Sequence, residues 1–82
     1  PWPARRILAR AWARDAALEH ASVAAFEQLA RRLEVVGAPA ELVARASRAA
    51  AEEAEHTRLC LALAERYAGR TLALAPTPAL PQ

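Results

Sequence analysis

The sequence predicts an all-α chain folded as an antiparallel two-helix hairpin. Residues 4–36 contain neither Gly nor Pro and are rich in strong helix formers. A second run of the same character follows through residue 68. Between them, VGAPAEL (36–42) reads as a helix stop followed at once by a helix start. So short a turn leaves two long helices packed side by side in opposite directions.

Each element has its own signal. Residues 1–3, PWP, form an irregular lead, and the first helix spans 4–36. Gly37 suits the left-handed position just past a helix end, where a Cβ would be strained. Pro39 suits the first position of the next helix, and Glu41 falls in its first turn, where the helix dipole favours an anion. The second helix spans 39–68 and stops at Gly69. Residues 70–82 form a proline-rich tail or the start of a crossover, because TLALAPTPALPQ carries three prolines in its last seven residues.

At 82 residues the chain is one small domain near the lower limit for a self-sufficient core. Chains of this size commonly need a staple, a metal or a partner. A single cysteine excludes an internal disulfide framework. Every basic residue is arginine, and these recur often enough to exclude a membrane span. PWPARR is no signal peptide, since no apolar core follows it. Arg6, Arg10 and Arg14 form a row at helical spacing that could touch phosphates. Without interleaved aromatics or a nucleic-acid-binding motif, it reads as a solvated face paired with nearby acids. Ser22 has no triad partner or oxyanion hole, so nucleophilic catalysis finds no support.

Steps of four and three residues define one stripe along each helix, the stripe expected to pack on a neighbour. On the first helix it runs Leu8, Trp12, Asp15, Glu19, Ser22, Phe26, Leu29, Leu33, Val36. On the second it runs Leu42, Ala46, Ala49, Glu53, His56, Cys60, Leu63, Tyr67. Both stripes are apolar towards their ends and polar in the middle. Glu52 and Glu55 flank the second stripe and belong to solvent, as do Glu27 and Glu34 beside the first. Folding about Gly37 and Ala38 puts Glu19 within roughly one helical turn of Glu53 and His56, at about 1.5 Å of rise per residue.

Three ionisable groups thus converge at one level of the seam. An uncompensated buried carboxylate costs several kcal/mol; a bound cation offsets that cost. Glu53 and His56 stand at Glu-x-x-His spacing, so a carboxylate oxygen and an imidazole nitrogen can reach one metal. Mixed oxygen and nitrogen donors with open positions suit iron or manganese, whereas structural zinc more often recruits thiolates. Asp15 is either a polar partner for His56 or a helix-end residue. Cys60, Trp12 and Tyr67 read as packing residues, and His20 lies at an edge.

These residues resemble a known family. EHASVAAF (19–26), followed after GAP by EEAEHTRLCLALAERYAG (52–69), is similar to one repeating half of the ferritin-like di-iron carboxylate site. The resemblance spans residues 12–69 and points to bacterial ferritin-like domain proteins. It implies half of a four-helix bundle, with Glu19 and Glu53 as carboxylate ligands and His56 as the nitrogen ligand of one iron. It also implies a di-iron cofactor, with manganese possible, and Fe(II) oxidation or related oxygen or peroxide chemistry. A complete site needs a second hairpin. That hairpin is either a homodimer partner, as in encapsulated ferritins, or a downstream segment reached by the crossover. The competing reading is a metal-free hairpin that dimerises through its apolar seam.

Overall fold

The computed structural model describes residues 3–74. Two helices, α1 (Pro3–Val35) and α2 (Ala40–Ala68), pack against each other along their lengths as an antiparallel hairpin. Pro3 is the first helical residue, so α1 starts inside the segment read as an irregular lead. Proline is at home there, because the first helical N–H has no intrahelical partner to lose. Pro1 and Trp2, and residues 75–82 of the tail, lie outside the described residues. Residues 70–74 are not helical.

The turn is built from backbone hydrogen bonds. Gly37 adopts φ 73°, its N–H donates to the Glu34 carbonyl, and the Ala38 N–H donates to the Leu33 carbonyl. These bonds satisfy carbonyls that the last turn of α1 would otherwise leave open. Pro39 differs from expectation: it precedes α2 instead of occupying its first position. Its ψ of 140° is extended, and its carbonyl accepts from the N–H groups of Leu42 and Val43. At the far end, Gly69 closes α2 in the left-handed conformation, its N–H donating to the Glu65 carbonyl.

The contact line between the helices corrects the stripes read from sequence. Trp12, Glu19, Phe26 and Leu33 are half-buried as expected, but the alternating positions are displaced by one residue. Ala9, Ala16 and Ala30 are buried where Leu8, Asp15 and Leu29 were expected; those three are exposed. On α2, Ala46, Ala50, Thr57 and Ala64 are buried, while Leu42 and His56 are exposed. The same displacement on both helices has one cause. Two helices approach most closely where side chains are smallest, so alanine takes the line of contact and leucine moves to its flank. Ala16 and Ala64 are fully enclosed, with 0% exposure.

The displaced leucines therefore mark one broad face of the hairpin. Phe26, Leu29, Leu33, Leu42, Ala46 and Ala49, with Arg45, line a shallow groove of about 320 Å³ on it near the turn. Leu8 occupies the corresponding flank towards the open end and is exposed.

The open end is tied by Arg5. Its Nη2 donates to the Arg66 carbonyl at 2.8 Å and its Nε to the Tyr67 carbonyl at 3.2 Å. Those carbonyls belong to the last turn of α2, where a cation is favoured by the helix dipole. The same guanidinium lies 6.0 Å from the Tyr67 ring centroid. Leu72 then donates its N–H to Glu65 Oε2 at 2.9 Å, which holds the departing chain beside the helix.

Candidate metal centre

Midway along the hairpin, α1 contributes Glu19 and α2 contributes Glu53 and His56. One donor atom from each of the three falls within 4.8 Å of the others. His56 Nδ1 lies 3.3 Å from Glu19 Oε2 and 3.8 Å from Glu53 Oε1. Glu19 and Glu53 occupy the contact line itself and reach outward from it, with side chains 33% and 23% exposed. His56 stands on the flank, 55% exposed, which corrects its expected place on the seam. Thr57 is buried instead, its hydroxyl donating to the Glu53 carbonyl at 2.8 Å. That bond satisfies the hydroxyl without involving either carboxylate.

The electrostatics follow from the two carboxylates meeting. Glu53 is raised above the ordinary glutamate value, first because it shares a hydrogen bond with Glu19. Partial loss of water and the Glu19 charge push the same way, whereas His56 pulls it down. The pair favours holding a positive charge between its oxygens, whether proton or metal ion. The donor set is two carboxylate oxygens and one imidazole nitrogen, all within 4.8 Å of one another. That combination fits a hard-to-intermediate divalent cation with unfilled coordination positions.

The other residues weighed from sequence add no ligand atom to this cluster. Asp15 is exposed, and Ser22 donates its hydroxyl to the Leu18 carbonyl at 3.1 Å, a local bond within α1. Glu52 and Glu55 are exposed as expected, and Glu55 pairs with Arg58 at 2.6 Å, which holds its carboxyl below the usual range. Cys60 is a free, half-buried thiol. Burial pushes its pKa up, with Glu19 and Asp15 adding to the rise, which disfavours the reactive thiolate. Trp12, His20 and Tyr67 are half-buried. No helix among the described residues is long and apolar enough to cross a membrane.

The row of Arg6, Arg10 and Arg14 departs from expectation, since among the described residues no acid pairs with it. Arg5 and Arg70, which sequence reasoning passed over, belong to the same end of the molecule. Their signal was present: Arg70 directly follows the helix-ending Gly69, so it must emerge beside the start of α1.

Fold and cluster together define the chain as an all-α hairpin carrying a Glu/Glu/His constellation on one open face. Comparison with models of protein families, with curated proteins and with solved structures returns no match.

Proposed function

We propose that this chain is one half of a ferritin-like di-iron carboxylate protein, with Glu19, Glu53 and His56 as the metal ligands of this half. The observation that carries the reading is the convergence of His56 Nδ1 and the two carboxylates from separate helices. Glu19 and Glu53 together balance the charge of a divalent ion, and His56 supplies the neutral nitrogen. Iron, or manganese in its place, supplies one-electron redox chemistry with dioxygen or peroxide, and Fe(II) oxidation is the activity we assign. The alanine contact line sets the distance across which the two carboxylates work. A second hairpin, from the same protein or from another copy, seats on the face that bears Leu8, Leu29 and Leu42 and brings the remaining ligands.

A metal-free interaction module is the second reading, supported by the exposure of those same leucines. Such a module would use the face for dimerisation alone, and apolar surface of this kind commonly marks a contact site. Anaerobic Fe(II) titration followed by calorimetry separates the two. Saturable binding that is lost in Glu53→Ala supports the metal reading. Absence of Fe(II) binding, with equal thermal stability of Glu53→Ala and the parent in the presence of metal, leaves the interaction module.

A further inference from the structure

The open end of the hairpin carries a second constellation, on the face opposite the metal ligands. Arg6, Arg10 and Arg70 line a cavity of about 420 Å³ together with Ala9 and Ala68. No carboxylate lines it, and none pairs with these three guanidinium groups among the described residues. The alanines leave the space open, since larger residues there would fill it. We propose that this cavity is a binding site for a small phosphate-bearing anion.

Three independent features converge on that ligand class. The first is the chemistry of the donors: guanidinium groups carry planar forks that match the paired oxygens of phosphate better than a point charge does. The second is charge segregation. Arg5, Arg6, Arg10, Arg14, Arg66 and Arg70 all fall within residues 3–14 and 61–74, against the single carboxylate Glu65. In the rest of the chain the acids outnumber the arginines, although the net charge is only +2. The potential is therefore concentrated at this end, and it steers anions there. The third concerns the helix poles. α1 has no acidic residue in its first turn, so its positive pole is uncompensated. The opposing carbonyl pole of α2 is occupied by Arg5 and by the Gly69 N–H, which prevents it from repelling an anion.

The site is independent of the metal reading and is tested without metal. Pyrophosphate is titrated calorimetrically into the full chain in EDTA at low salt, and the titration is repeated with sulfate at matched ionic strength. Saturable pyrophosphate binding is expected, weakened roughly tenfold or more in Arg10→Glu and in Arg70→Glu. Arg10→Lys is expected to retain part of it. Arg48→Glu, which changes charge equally on α2 far from the cavity, is expected to leave it within about twofold. Circular dichroism confirms that each variant keeps its helicity. No saturable binding, or equal loss in Arg48→Glu, overturns the site. Tighter binding per phosphate to a single-stranded oligonucleotide or to anionic vesicles than to pyrophosphate overturns the small-ligand assignment.

Discussion

His56 Nδ1 and Glu19 Oε2 stand 3.3 Å apart although the two residues are thirty-seven positions apart in the chain. With Glu53 Oε1 3.8 Å from the same nitrogen, the imidazole bridges two carboxylates from different helices. The contact exists only when the hairpin is closed in register, so it reports on the fold as well as on the site.

The carboxylate pair predicts an inverted pH dependence for one variant. Glu53 is raised above its ordinary value of 4.5, so the folded chain holds this proton more tightly than the unfolded chain does. Stability from this group is thus greatest at low pH and falls as pH rises through the two values. Glu53→Gln removes the repulsion while keeping a hydrogen-bond donor for Glu19. In metal-free protein it is expected to raise Tm at pH 7 and to lose that advantage near pH 4. Thermal melts followed by circular dichroism at the two pH values check this; an equal shift at both sinks the account.

Metal reverses the sign. With Fe(II) or Mn(II) at about a hundredfold over Kd, linkage adds roughly 2.7 kcal/mol to the parent. Glu19→Ala, Glu53→Ala and His56→Ala are each expected to lose most of that gain. The same gain is expected to decline on acidification, because protons compete for Glu53. Melts with and without metal across a pH series read both effects.

Much of this arrangement was legible in the residues, and the misses share a cause. The two helices, the Gly37 turn and the Gly69 stop follow from local signals that tertiary packing has no reason to override. The level of Glu19 with Glu53 and His56 follows from counting rise outward from the turn. What hydrophobic spacing missed was rotation. Counting in steps of four and three from Leu8 and Leu42 assigned the buried line to Leu8, Asp15, Leu29 and Ala49, whereas close helix approach buries their neighbours Ala9, Ala16, Ala30 and Ala50. The same count put His56 on the seam and left Thr57 unnoticed. Pairing for Arg6, Arg10 and Arg14 was inferred from composition, which carries no information on where the acids fall in space.

Seam substitutions are expected to act on the candidate metal site at a distance. Ala16 is fully enclosed and lies one turn from Glu19. Ala16→Leu forces the helices apart and is expected to cost about 1–3 kcal/mol. It should also weaken metal binding without touching a ligand. Ala25→Leu, on the exposed side of the same helix, serves as the comparison and should change neither. Urea unfolding and Fe(II) titration of the two variants give the readouts.

The turn glycine has a conformational cost to reveal. Gly37 sits at φ 73° with nothing within 4 Å of the position a Cβ would take. Gly37→Ala therefore meets no clash, and its expected loss of about 1 kcal/mol comes from the left-handed backbone alone. Gly37→Asn, which tolerates that region, should lose less. Urea unfolding of both variants measures the difference.

Arg5 should control fraying of the second helix. Arg5→Ala removes both bonds to the Arg66 and Tyr67 carbonyls and is expected to ease local opening there by about 1 kcal/mol. Hydrogen exchange at the amides that bond within the last turn of α2 would speed up, while those near Glu53 keep their rates.

The enclosed alanines have one more consequence. A methyl group has no rotamers to exchange, so the separation of the two backbones at Ala16, Ala50 and Ala64 cannot be relaxed by side-chain rearrangement. The spacing of the backbones that carry Glu19 and Glu53 is thereby fixed, while their own side chains keep rotamer freedom. Under the proposed metal reading, any adjustment to an ion's radius is left to the two carboxylate side chains, because the backbones behind them keep a fixed spacing.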